Sequence, residues 1–250
     1  MIIDSHQHFW NYDPIKDAWI DDSMEVIRRD FLPKDLKPLI DENAIDGCIA
    51  VQADQSENET DFLLSCAQKN KFIKGVIGWL DLTSDNLESR LNHYIKNPLF
   101  KGLRHIVQAE KDDYLLRDDV QKGISKLANY NLTYDILIFP SQLNAAIELV
   151  KKFPKQQFVL DHIAKPHISN SVDELWRSNI IELSKNQNVS CKLSGLVTET
   201  NNYTFNDIDF YPYLDIIFQS FGPKRILFLS LIHISEPTRP RLISYAVFCL

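Results

Sequence analysis

The sequence predicts an α/β chain folded as a (β/α)8 barrel, incomplete at strand eight and the last helix. Three observations carry that prediction. Eight short apolar runs, many of them rich in β-branched residues, alternate with segments of helical period, and each pair takes roughly 30 residues, the size of one β-α unit. Eight such pairs suit a closed barrel, which typically needs about 250 residues. The dinucleotide fingerprint G-x-G-x-x-G is absent, which argues against an open doubly wound sheet.

In chain order the strand-like runs are 2–6, 47–52, 73–79, 102–107, 134–139, 158–162, 189–193 and 225–228. Segments between them place apolar side chains on one helical face: Val120, Ile124 and Leu127; Leu143, Ile147 and Val150; Leu175, Trp176, Ile180 and Leu183; Leu214, Ile217, Phe218 and Phe221. Start and stop signals agree with this map. Asp118 or Asp119 is expected to cap the helix entering Val120, Ser141 after Pro140 to open the next, and Gly222-Pro223 to end the last. No linker interrupts residues 1–228, which read as one domain.

The 250-residue chain carries 27 Lys and Arg against 34 Asp and Glu, a formal net charge of −7, without a run of five like charges. That balance offers no footprint for nucleic acid or an anionic membrane, and neither is expected as a partner. Cys48, Cys66, Cys191 and Cys249 lie far apart with no C-x-x-C spacing, and no secretory leader follows Met1. Disulfides and export are unsupported, so a cytoplasmic location is the expectation. The apolar stretch 242–250 is too short to cross a bilayer.

Polar residues collect at the C-terminal ends of the runs, where barrel enzymes assemble their sites. His6 and His8 are separated by one residue, so on an extended segment both point to the same side and can converge on one metal ion or one carbonyl. His162, closing the sixth run, would add a third imidazole, and three histidines can bind zinc with an open water position. The competing reading of His162 is a hydrogen-bonded structural residue. Arg104 and His105 put a fixed cation beside a titratable ring, suited to gripping a carbonyl or a hydroxyl-rich substrate. Neighbouring strand residues face opposite ways, so only one of the two is expected to point into the barrel.

Gln52 after the second run, and Lys192 and Glu199 after the seventh, are secondary candidates, with surface polarity as the alternative. Asp135 is expected as a buried, hydrogen-bonded carboxylate. Trp10, Tyr12 and Trp19 could wall a ring-shaped ligand or anchor a loop. His93 and His167 read as bland. Nucleophile signatures are missing: Ser194 lacks G-x-S-x-G, and Cys191 lies within a strand.

Five blocks occur in a fixed order: Asp4-Ser5-His6-Gln7-His8-Phe9-Trp10, Val51-Gln52, Lys101-Gly102-Leu103-Arg104-His105, Leu160-Asp161-His162-Ile163-Ala164-Lys165-Pro166 and Lys192-Leu193-Ser194-Gly195-Leu196. In these blocks the chain resembles the amidohydrolase-related superfamily, in its sugar-lactone hydrolase branch of L-fuconolactonases and L-rhamnonolactonases. The resemblance implies that His6, His8 and His162 are the catalytic groups around a water or the lactone carbonyl and hold a divalent metal, zinc first, although some relatives work without one. It also implies substrate contacts from Arg104 and His105, with Gln52, Trp10 and Lys165 beside them. The family places a catalytic aspartate after strand eight, within a Gly-Ser-Asp-Trp-Pro block. Here Phe228 is followed by Leu229-Ser230-Leu231, and leucine stands where that aspartate is expected. From Leu229 onward the sequence resembles translated sequencing-adapter DNA, so 229–250 reads as a non-family tail, artefactual or disordered.

The expected reaction is hydrolysis of a small-molecule sugar lactone to its aldonate, impaired in this chain by the missing proton acceptor. Two alternatives stand beside it: a decarboxylase of an aromatic acid from the same superfamily, and a non-catalytic truncated protein.

Overall fold

The computed structural model describes residues 1–18, 20, 22–169, 171–201 and 204–228. Expectations for Trp19, Leu231, Cys249, the 242–250 stretch and the whole 229–250 tail lie outside the described residues. The elements are β1 (Ile3–Gln7), α1 (Pro33–Glu42), β2 (Gly47–Val51), α2 (Glu57–Lys69), β3 (Ile73–Gly78), α3 (Leu87–Tyr94), β4 (Phe100–Ile106), α4 (Asp118–Leu127), β5 (Thr133–Leu137), α5 (Leu143–Lys152), β6 (Phe158–Leu160), α6 (Glu174–Ser184), β7 (Val189–Leu193), α7 (Tyr211–Phe221) and β8 (Ile226–Phe228). Strand order follows the chain from β1 to β8, as in a (β/α)8 barrel. Among the described residues no helix is long and apolar enough to cross a membrane.

Two compact units are present: Met1–Trp79 with Asn97–Phe100 and Phe228, and Leu80–Lys96 with Lys101–Leu227. In the first, β1, β2 and β3 pair in parallel and α2 packs on β3. Phe9, Phe31, Leu36, Cys48, Leu63 and Val76 are sealed in its core. α2 starts where Ser56, in extended backbone, accepts the Glu59 N–H at 3.2 Å, and it ends where Asn70 Nδ2 donates to the Cys66 carbonyl at 2.8 Å. At the end of β8, the Phe228 carbonyl accepts the Ser5 hydroxyl of β1 at 2.5 Å.

In the second unit β4, β5, β6 and β7 pair in parallel, and α5, α6 and α7 pack side by side. The periodic faces are buried as their spacing predicts on α4 (Val120, Ile124 and Leu127), α5 (Leu143, Ile147 and Val150) and α6 (Trp176, Ile180 and Leu183), whereas on α7 Ile217 and Phe221 are buried and Leu214 and Phe218 only half-buried. Leu175 departs from this. It is 63% exposed, because it lies one residue off the stripe set by Trp176, Ile180 and Leu183.

The helix ends also differ in detail from the sequence reading. Arg117 is the N-cap residue of α4, while Asp118 and Asp119 occupy its first turn and act on the helix dipole. Ser141 donates to Asp112 at 2.9 Å, and Gln142 accepts the Phe139 N–H instead. Gly222 ends α7 as expected, with φ 68° and its N–H on the Phe218 carbonyl at 3.0 Å.

Candidate active site

On β1, Asp4 and His6 share one parity, which His8 continues just past the strand's end, and Ser5 and Gln7 the other. The register with β2 shifts between Asp4 and Gln7, and the Asp4 carboxylate fixes the irregular backbone by accepting the His6 N–H at 3.0 Å and Gln7 Nε2 at 2.7 Å. The two imidazoles converge as predicted. His6 Nε2 and His8 Nε2 stand 3.0 Å apart with the rings edge to face, and His8 Nδ1 donates to the Val51 carbonyl at 2.8 Å. That bond fixes the tautomer, so His8 Nε2 presents a lone pair. The spacing is close to the roughly 3.3 Å edge of a tetrahedron with zinc–nitrogen bonds of about 2.05 Å, so this donor pair fits a metal ion.

The Val51 carbonyl lies at the head of a braced loop. Gln52 is fully buried and donates its N–H to the Ile77 carbonyl at 2.9 Å. Glu59, the third residue of α2, turns its carboxylate back to accept the Ala53 N–H at 3.0 Å and the Asp54 N–H. Burial pushes its pKa up to about 7, against the pull of those two donors and of Lys16.

In the second unit, Arg104 pairs in register with Asp135, Asp135 with Val159, and Val159 with Ser190. Two residues beyond Val159 and Ser190, on the same face by the strand period, come Asp161 and Lys192. Register alone therefore gathers four charges. Arg104 Nη1 lies 3.1 Å from Asp161 Oδ2, Lys192 Nζ lies 2.9 Å from Asp161 Oδ1, and Lys192 also pairs with Asp135. All four are buried and their charges cancel. Burial opposes ionisation of Asp161, but the Lys192 ammonium and Arg104 guanidinium outweigh it and hold its pKa down to about 2. At Asp135 burial, with the Asp161 charge, prevails over Lys192 and pushes the pKa up to about 6. The two carboxylates keep the buried Lys192 protonated.

The reading of His162 as the last residue of a strand is corrected here. β6 ends at Leu160, and His162, Ile163, Ala164 and Lys165 all have positive φ, between 49° and 60°. In an extended strand His162 would face away from Asp161; the left-handed turn reorients it. Four such non-glycine residues in succession are strained, by roughly 1–2 kcal/mol each. Surrounding contacts hold the turn: Lys165 N–H donates to the His162 carbonyl at 2.8 Å, and Trp176 Nε1 to the Ile163 carbonyl at 2.9 Å. His162 Nδ1 bonds Ser194 Oγ at 2.9 Å. Gly195, at φ 73°, lies so close that a Cβ there would stand 2.9 Å from His162 Cβ. Burial lowers the His162 pKa to about 3, so the ring is neutral and able to offer a lone pair.

The remaining candidates separate. Arg104 turns into the charge cluster, and His105, on the opposite parity, stacks on Tyr114 at 4.8 Å and bonds Glu110 through Nε2 at 3.1 Å. Trp10 packs on Phe31 at 4.5 Å and the two exchange backbone hydrogen bonds, while Tyr12 N–H donates to Asp30. Lys165 pairs with Glu199 at 3.1 Å. Lys192 is buried, so its alternative as surface polarity is corrected: register with Asp161 and Asp135 places it inside. His167 is exposed, His93 lies on α3 against Tyr94, and Cys191 is buried in β7.

Sequence reasoning assigned no role to Asp4, Glu59, Asp161 or Ser194. Two of them carried a readable signal. Ser56-x-x-Glu59 has the spacing of a capping box, and Asp161 shares the parity of Val159 once the strand period is continued.

The chain matches known proteins over most of its length. The amidohydrolase family model Amidohydro_2 matches residues 3–230. An L-fucono-1,5-lactonase of Burkholderia ambifaria is 32% identical over 226 residues, covering 90% of this chain and 78% of that protein. An L-fucono-1,5-lactonase of Burkholderia multivorans is 35% identical over 237 residues, covering 90% and 80%. The crystal structure of a Burkholderia multivorans amidohydrolase with bound zinc superposes with a TM-score of 0.92 at 33% identity, over 99% of this chain and 90% of that one. The parity of the β1 histidines, the ordered alternation of eight strands with helices and the extent of these matches lead to one assignment: the chain belongs to the amidohydrolase family, on a (β/α)8 barrel fold.

Proposed function

We propose that this enzyme hydrolyses a sugar lactone to its open aldonate, and that His6, His8 and His162 serve one reaction centre. The observation that carries the reading is the 32% and 35% identity to L-fucono-1,5-lactonases over 90% of the chain. A divalent metal, zinc by analogy with the related crystal structure, would be held by those three histidines, and when bound it supplies a Lewis acid for the carbonyl and an acidified water.

The chain's own residues do the rest. The Val51 carbonyl keeps His8 in the tautomer with Nε2 exposed to the centre. His162 stays neutral through the physiological range because of its burial. The paired charges of Arg104 and Lys192 hold Asp161 ionised at the head of the left-handed turn. Gln52, Trp10 and Lys165 contact the sugar, whereas Arg104 is engaged by Asp161 and His105 by Glu110 and Tyr114. Phe228 is followed by Leu229-Ser230-Leu231, with no carboxylate to take the proton there. Turnover by this chain is therefore slowed by about 10²–10⁴-fold relative to an intact relative.

A pH-indicator assay with L-fucono-1,5-lactone, together with metal analysis of the purified protein, tests the proposal. Slow hydrolysis above buffer, lost in chelator, is expected. A chimera carrying the Burkholderia multivorans relative's segment after Phe228 should gain about 10²–10⁴-fold. Absence of hydrolysis by both chain and chimera rejects the reading, and full activity in chelator removes the metal from it.

A further inference from the structure

We infer that Glu59, on α2, is a positioning residue for His8: its carboxylate holds the backbone after β2 so that the Val51 carbonyl stays on His8 Nδ1. The inference rests on the reading that His8 serves the reaction centre, and it names the side chain that maintains the His8 tautomer from a distance.

β2 ends at Val51, and the peptide unit joining Val51 to Gln52 is held from both sides. Its carbonyl accepts His8 Nδ1 at 2.8 Å, and its N–H donates to the Ile77 carbonyl of β3 at 2.9 Å. The next two N–H groups lie past the end of the strand and still need acceptors. Both go to Glu59: Ala53 N–H donates to Oε1 at 3.0 Å, and Asp54 N–H donates to Oε2. One carboxylate thus binds two successive backbone donors, which fixes the turn immediately behind the carbonyl that His8 uses.

Glu59 is itself anchored. Ser56-x-x-Glu59 has capping-box spacing, but the carboxylate reaches past Ser56 to Ala53 and Asp54. Ser56 Oγ accepts the Glu59 N–H at 3.2 Å and donates to Asp54 Oδ2 at 2.7 Å. Next along the helix, Thr60 Oγ1 accepts the Trp79 N–H at 2.9 Å and donates to the Trp79 carbonyl at 3.0 Å, tying the first turn of α2 to the residue after β3. Asp54 in turn pairs with Lys16 at 3.1 Å. Burial makes an ionised Glu59 costly to the fold, so stability does not account for a carboxylate at this place. Its two backbone bonds and their nearness to the His8 acceptor do.

Imidazole nitrogen resonances of the metal-free full chain, labelled in histidine and read at mildly alkaline pH, test the inference, with His8 assigned from the His8→Ala spectrum. Wild-type His8 is expected to be protonated at Nδ1. Glu59→Ala should lower the ratio of the Nδ1–H to the Nε2–H form about fivefold, the worth of one hydrogen bond. Glu59→Gln, which keeps one acceptor oxygen, should fall between, and it carries the test if Glu59→Ala does not fold. Asn70→Ala removes the bond that closes the far end of α2 and should leave the His8 signature unchanged. A signature unmoved in the Glu59 variants, or moved as far by Asn70→Ala, overturns the inference. With L-fucono-1,5-lactone, kcat of the Glu59 variants should fall about two- to fivefold alongside the tautomer ratio; an altered signature with normal kcat also overturns it. A wild type inert toward the lactone rejects the lactonase reading instead, and the His8 signature still decides the role of Glu59.

Discussion

His6 and His8 face each other Nε2 to Nε2 at 3.0 Å, and His8 commits its other nitrogen to the Val51 carbonyl. Two such nitrogens either share a proton or share a cation. His6→Ala or His8→Ala should weaken zinc binding by about 10²-fold or more, read by competition with a chromophoric chelator at neutral pH. Unchanged affinity in both variants would remove this pair from the metal site.

Gly195 combines a positive φ of 73° with a van der Waals approach to His162 that leaves no room for a methyl group. Gly195→Ala should destabilise the chain by about 1–3 kcal/mol in urea unfolding, since strain and overlap act together. Displacement of the His162 ring should accompany it, visible as a shift of its imidazole resonances. A variant as stable as the wild type would show that the loop relaxes freely.

Lys192 bridges two buried carboxylates, Asp135 and Asp161. Lys192→Met should cost about 3–5 kcal/mol, because it leaves an uncompensated buried charge. Adding Asp135→Leu to Lys192→Met should recover part of that loss, a coupling that a double-mutant cycle measures. Strict additivity of the two changes would contradict the shared cluster.

Glu59 has its pKa raised by burial from its ordinary value of 4.5 to about 7. Between those values the folded chain binds a proton that the unfolded chain has released, so stability falls as pH rises through this window. The fall should be about 2–3 kcal/mol from pH 4.5 to pH 7.5. In Glu59→Gln that part of the slope should vanish, measured as the difference between the two proteins' urea-unfolding profiles. Parallel profiles would rule out Glu59 as the titrating group.

Much of the arrangement was legible from spacing. All eight runs became strands, and the 189–193 run matches β7 residue for residue. The β1 histidine pair was readable because one-residue spacing on extended backbone fixes a side, and that holds even where the register shifts at Asp4. Arg104 and His105 separated as alternation requires. Less was legible at helix starts, where Arg117 rather than an aspartate occupies the cap of α4, since several adjacent polar residues satisfy the same pattern.

The sequence by itself determined the order of strands and helices, the faces they bury and the side on which the β1 histidines lie, because these follow from periods of 2 and 3.6 residues along the chain. Tertiary structure decided the conformation at His162 and the fate of Lys192. No glycine marks 162–165 as left-handed; the turn persists only because Trp176, Ser194 and Gly195, from other elements, over-determine it. Lys192 is inside rather than on the surface because inter-strand register brings Asp135 and Asp161 to it, and register is a property of neighbouring strands that no single segment encodes.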